Sequence, residues 1–185
     1  MPGEIALDIG CSSGYEAVGM QWFLQVNIVK GVDKDISTVR QFADVLRSDL
    51  SAARESVDFA HILQADREWW YSEAPQFFRD GSFPLFFEVD IAQPDALANA
   101  IGHASCGFAY CSNVLCHIHD ELGPASIHFA IAEIMQVLRP GAWFVAQEPA
   151  DETLEYFYDA FSTSSGEVHV EAGEFKVEYR ARRKP

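Results

Sequence analysis

The stretch Ile5-Ala6-Leu7-Asp8-Ile9-Gly10-Cys11-Ser12-Ser13-Gly14 constrains the fold of this chain more than any other. A short apolar run ending in glycine reads as a buried strand that feeds a tight turn, because glycine admits backbone angles closed to other residues. Residues 15–25 carry Val18 and Trp22 on one face and read as a helix, and residues 26–32 read as a second strand. Strand, glycine turn, helix and strand form a βαβ unit, whose right-handed crossover makes the two strands parallel.

The alternation continues. Asp35 is placed to cap a helix with Ile36, Val39, Phe42, Ala43, Leu46 and Leu50 at helical spacing. Residues 51–84 lose that clarity: a helix is expected at 57–63, followed by Trp69, Trp70, Tyr71, Phe77 and Phe78, and the segment reads as an aromatic-rich insertion between strands two and three. Residues 85–89 give a third strand, 94–102 a short helix and 107–111 a fourth strand. Pro124 opens a helix through Ile127, Ile131, Ile134 and Leu138, which Pro140-Gly141 stops, and residues 143–146 form a fifth strand. A helix at 154–161 precedes Val168, Val170, Phe175, Val177 and Tyr179, which alternate with polar residues around Ala172-Gly173 as a closing β-hairpin. The expected architecture is one α/β domain over residues 1–185. It is three-layered and doubly wound, with a mostly parallel seven-stranded sheet that ends in an antiparallel hairpin. In such sheets ligands sit beyond the carboxyl ends of the strands, where the strand order reverses. That rule directs attention to Gly10, Asp33, Asp90 and residues 112–117.

Composition narrows the function. With 49% apolar residues over 185, the chain suits one core. No run of 18 or more apolar residues occurs and no signal-peptide pattern opens the sequence, so a cytoplasmic protein without a membrane partner is expected. A net charge of −15 repels a phosphate backbone, which argues against a nucleic-acid substrate. The one basic cluster, Arg180, Arg182, Arg183 and Lys184, reads as a solvated tail or an edge-strand guard. Cys11, Cys106, Cys111 and Cys116 form no CxxC pair, and Cys116-His117-x-His119 lacks a second ligand cluster, so reduced thiols and no metal are expected.

Residues 7–14, an acidic residue before a glycine-rich turn, resemble the first motif of class I S-adenosylmethionine-dependent methyltransferases. The free N–H groups at the start of the following helix would suit a carboxylate there. The resemblance implies a cofactor site built from Asp8, Gly10, Cys11, Ser12 and Gly14. It adds Asp33 for the ribose hydroxyls, with Lys34 next to it, and Asp90 and the backbone N–H of Ile91 for the adenine. Residues 112–118, Asn113 among them, resemble the stretch that flanks the methionine part of S-adenosylmethionine, and residues 137–145 resemble the turn into strand five. The likeness spans about residues 5–148. It implies transfer of a methyl group to a small-molecule or protein acceptor, leaving S-adenosylhomocysteine.

Two departures bear on this. Ser12 stands where the family often has its central glycine, and a small serine still permits close approach. The family usually has helices before the first strand, whereas four residues precede Ile5. The aromatic segment 69–87 is the candidate cover, with ordinary packing aromatics as the other reading. Gly10-Cys11-Ser12-Ser13-Gly14 also spells the G-x-S-x-G elbow of hydrolases, but no earlier strand supplies an oxyanion loop. A dinucleotide-binding turn would need glycines where Ser12 and Tyr15 stand. A non-catalytic methyltransferase-like interaction module remains the main rival, since fold does not imply chemistry. Methyl transfer needs alignment more than a dedicated catalytic residue; His117 and His119 are the available bases. The Asn/Asp-Pro-Pro-Tyr motif of DNA amino-methyltransferases is absent, and residues 110–115 are similar to the corresponding strand exit of chemotaxis-receptor glutamate methyltransferases.

Overall fold

A computed structural model describes residues 4–14, 16, 17, 20, 26, 28–41, 84–150 and 154–184. The strands are β1 (Ile5–Ile9), β2 (Ile28–Asp33), β3 (Leu85–Glu88), β4 (Cys106–Ser112), β5 (Leu138–Pro149), β6 (Glu167–Ala172) and β7 (Lys176–Arg182). Between them lie α1 (Ala96–Ile101), α2 (Leu115–Leu122), α3 (Ala125–Val137) and α4 (Leu154–Ser164), and residues 37–41 are helical. The sheet order is β3-β2-β1-β4-β5-β7-β6. The first five strands are parallel, and β7 runs antiparallel to both β5 and β6. The expected doubly wound architecture with its closing hairpin is therefore the observed one.

Alternation sorts the side chains. Leu7 and Ile9 of β1, Ala109 and Cys111 of β4, and Phe144 and Ala146 of β5 are buried together with residues of the four helices. Phe161 stacks on Tyr179 of β7 at 5.0 Å, and Phe157 meets the same ring edge-on at 6.0 Å, closing the hairpin onto α4. The opposite face of β1 and β2 presents Ala6 and Val29 to Ala17, Val26 and Met20. Asp35 accepts a hydrogen bond from the Ser37 N–H at 2.9 Å, capping the helix as its position predicts.

Three differences from the sequence reading are physical. First, residues 115–122 form α2, which no sequence cap announces. Second, α3 ends at Val137, because Leu138 turns extended and pairs with Cys106. Two steps along β4, from Cys106 to Phe108, then span five along β5, from Leu138 to Trp143. Pro140 and Gly141, with φ +78°, sit in that bulge rather than ending the helix. Third, the basic cluster is neither tail nor edge guard. β7 is interior to the sheet, the Arg183 guanidinium donates to the carbonyls of Gln136 and Leu138 at the end of α3, and Arg182 donates to Gly141 O at 3.0 Å. The expected insertion at 51–84 lies, up to residue 83, outside the described residues, as do the spacing at 42–50 and most of the helix at 15–25.

Candidate functional site

The strand order reverses at β1, which lies between β2 and β4, and there a cavity of about 720 Å³ opens beyond the carboxyl ends of the strands. Its wall is assembled exit by exit. Gly10 and Ser12 follow β1, Asp33 ends β2 and Lys34 follows it, Asp90 and Ile91 follow β3, and Asn113 and Val114 follow β4. Seven of the ten expected cofactor positions, Gly10, Ser12, Asp33, Lys34, Asp90, Ile91 and Asn113, thus share one cavity. Asp8, Cys11 and Gly14 stand behind it.

The turn is shaped by close approach. Gly10 has φ +69°, and a Cβ there would overlap Cγ2 of Val114. Gly14 has φ +84°, and its Cβ would lie 2.9 Å from the Phe86 ring. Ser12, at φ +45°, takes a left-handed conformation that usually favours glycine. Its N–H donates to Asp33 Oδ2 at 2.9 Å, while Asp33 Oδ1 accepts from the Asp35 N–H at 3.0 Å. Those two bonds fix the carboxylate, and each oxygen keeps a second lone pair for a ligand hydroxyl. Asp90 is held similarly by the Ala92 N–H at 3.0 Å and the Gln93 side-chain amide at 3.2 Å. Lys34 reaches across the wall to Glu121 of α2, with Nζ to carboxylate distances of 2.9 and 3.1 Å. Its ammonium is therefore engaged with the opposite side of the cavity.

Cys11 packs with Ile36 and Val39, and burial pushes its thiol up, which makes it a core residue. Asp8 is 2% exposed, and its Oδ2 has no hydrogen-bond partner among the described residues. Burial first, then Glu16, raises its carboxyl well above the ordinary aspartate value, against the opposing effect of the Ala17 N–H. A carboxyl raised in the fold binds its proton more tightly than in the unfolded chain, so its contribution to stability is full at low pH. That contribution falls as pH climbs above the unfolded value near 3.8. Asp8→Asn is accordingly expected to be more stable than the parent at pH 7, with the gap closing toward pH 4. Guanidinium unfolding at the two pH values reads this, and a gap independent of pH would refute it.

Sequence reasoning missed Glu148. It is fully buried on β5 and accepts from the backbone N–H groups of Val114 at 3.2 Å, Leu115 at 3.1 Å and Cys116 at 3.0 Å. Burial raises its carboxyl, and those N–H bonds pull the other way. A glutamate at an inward position of a buried strand was the available signal. Of the two candidate bases, His117 lies on the cavity wall, whereas His119 turns to α4, 5.8 Å from the Tyr156 ring. Cys116 faces Glu148 instead, so the three potential metal ligands diverge. Among the described residues no group of three or more His, Cys, Asp or Glu is placed to hold a metal.

No family model matches the chain, and no curated protein matches its sequence. Solved structures do share its fold. An S-adenosylmethionine-dependent methyltransferase from Methanosarcina mazei superposes with a TM-score of 0.63 at 14% identity, covering 98% of this chain and 93% of its own. YcgJ from Bacillus subtilis gives 0.63 at 11% identity, covering 99% and 93%. The N-methyltransferase NodS from Bradyrhizobium japonicum, in complex with S-adenosylhomocysteine, gives 0.58 at 14% identity, covering 98% and 79%. The fold is that of class I S-adenosylmethionine-dependent methyltransferases.

Proposed function

We propose that this cavity takes S-adenosylmethionine and that the chain transfers its methyl group, by in-line displacement, to a small-molecule or protein acceptor. The observation that carries the reading is the convergence of the Gly10–Ser12 turn, Asp33 and Asp90 on one cavity of about 720 Å³ at the switch point. That volume falls in the range of small-ligand sites. The fit is favourable because two fixed carboxylates, Asp33 and Asp90, line the cavity and offer acceptors for hydroxyl and amino groups. Asp33 would hold the ribose, Asp90 and the Ile91 N–H the adenine, and the Asn113 segment the amino-acid arm. When bound, the cofactor supplies an electrophilic sulfonium methyl. The chain's own task is to hold the acceptor in line and exclude water. Where the acceptor must lose a proton, the base would be His117, which lines the cavity.

The charge of −15 supports an acceptor other than nucleic acid. No helix among the described residues is long and apolar enough to cross a membrane. The four cysteines, all buried and unbridged, support a reducing, cytoplasmic setting. A second reading, a non-catalytic module, draws on the serine at position 12 and on the mutual pairing of Ser12 with Asp33 and Lys34 with Glu121. Calorimetry with S-adenosylhomocysteine separates the two. The enzyme reading expects a dissociation constant between about 1 µM and 1 mM. No heat at the upper end of that range would favour the module.

A further inference from the structure

We propose that Glu148 is a positioning residue whose carboxylate fixes the start of α2 and, through Asn113 and Val114, the wall that receives the amino-acid arm of the cofactor. The inference rests on the binding reading above and adds to it the element that shapes one end of the site.

The register of β5 brings the carboxylate there. Ala142, Phe144, Ala146 and Glu148 alternate inward, so the fourth inward position is a charge in an apolar layer. Burying it is costly unless donors surround it. The donors are the N–H groups of Val114, Leu115 and Cys116, with the Cys111 thiol 3.8 Å away. They are the groups that a helix start leaves without internal partners. α2 has no side-chain cap of its own, since Val114 occupies the capping position, so β5 provides the cap from 32–34 residues away. Gln147, the preceding residue, accepts the Asn113 N–H at 2.8 Å. Two successive residues of β5 therefore pin the strand-to-helix link, where Asn113 adopts φ +56°. Val114 then fills the space beside Gly10 that a Cβ would need. A continuous path of contacts runs from Glu148 through Val114 to the glycine turn, so an error at β5 displaces the wall between them.

Two probes read this. S-adenosylhomocysteine carries the amino-acid arm; 5′-methylthioadenosine has the same nucleoside and sulfur without it. Glu148→Gln keeps the size and one acceptor oxygen but turns an amide NH2 toward the donors that the other oxygen served, and Glu148→Asp keeps the charge one methylene short. By calorimetry, E148Q is expected to bind S-adenosylhomocysteine about tenfold more weakly and methylthioadenosine within about twofold of the parent, with E148D between. Equal weakening of both ligands, or of neither, overturns the positioning role. Amide exchange without ligand supplies an independent reading: E148Q should speed exchange at Val114, Leu115 and Cys116 more than at Phe144 and Ala146. Unchanged exchange overturns the inference even if the parent binds both ligands. A parent that binds neither ligand, with exchange faster as expected, defeats the cofactor reading while leaving the anchoring of α2 supported.

Discussion

Asp33→Ala loses at least about a hundredfold in affinity for S-adenosylhomocysteine, the largest effect expected from any single cavity residue. A carboxylate that accepts from both ribose hydroxyls makes two charge-assisted hydrogen bonds, each worth about 1.5–3 kcal/mol, and a hundredfold loss corresponds to only about 2.8 kcal/mol. The structure prepares that geometry before any ligand arrives. The Ser12 and Asp35 N–H groups hold the two oxygens at 2.9 and 3.0 Å, so the carboxylate needs little reorganisation on binding. Both bonds are solvent-exposed, and water replaces Asp33 at each N–H when the side chain is removed. Folding stability should therefore fall by less than about 1 kcal/mol. Asp33→Asn retains one acceptor and loses the charge, and an intermediate loss of about tenfold is expected. Calorimetry on the three proteins, with thermal midpoints as the control, checks the series. Binding by D33A within threefold of the parent would remove Asp33 from the site.

The positions visible in the sequence and those that were not differ in how far apart their partners lie. Ile5 to Gly14 declares itself because strand, turn and helix start are contiguous, and the βαβ rule then puts the end of β2 beside Gly10. Asp33 and Asp90 follow from counting strand exits. Of the three expected residues that stand behind the cavity, Asp8 follows from alternation. Ala6 and Asp8 face one side of β1 while Leu7 and Ile9 face the other, and so the Asp8 carboxyl lies within the face rather than at the strand end. Lys34 was legible as a neighbour of Asp33, but its bond to Glu121 joins residues 87 apart. Nothing local encodes that pairing. α2 escaped for the same reason, since its cap lies on β5, and His117, His119, Asp120 and Glu121 blur its short apolar face. Pro140-Gly141 was read correctly as a break and assigned to the wrong element. The punctuation is local, whereas the pairing of Leu138 with Cys106 that makes it a bulge is not.

Gly10→Ala, finally, is expected to destabilise the fold by about 2–5 kcal/mol, and the structure separates two causes. One is backbone conformation: at φ +69° a side chain costs about 1–2 kcal/mol. The other is overlap with Cγ2 of Val114, an overpacking cost of about 1–3 kcal/mol. The other two contacts within reach, Val114 Cβ at 3.4 Å and Cγ1 at 3.5 Å, are ordinary. Removing the methyl groups of residue 114 should therefore remove the second cost and leave the first. In a double-mutant cycle Gly10→Ala should cost only about 1–2 kcal/mol in the Val114→Ala background, a coupling of about 1–3 kcal/mol. Denaturant unfolding of the four proteins measures it. Strict additivity would mean that Val114 does not press on the glycine turn, which would also cut the path by which Glu148 shapes the site.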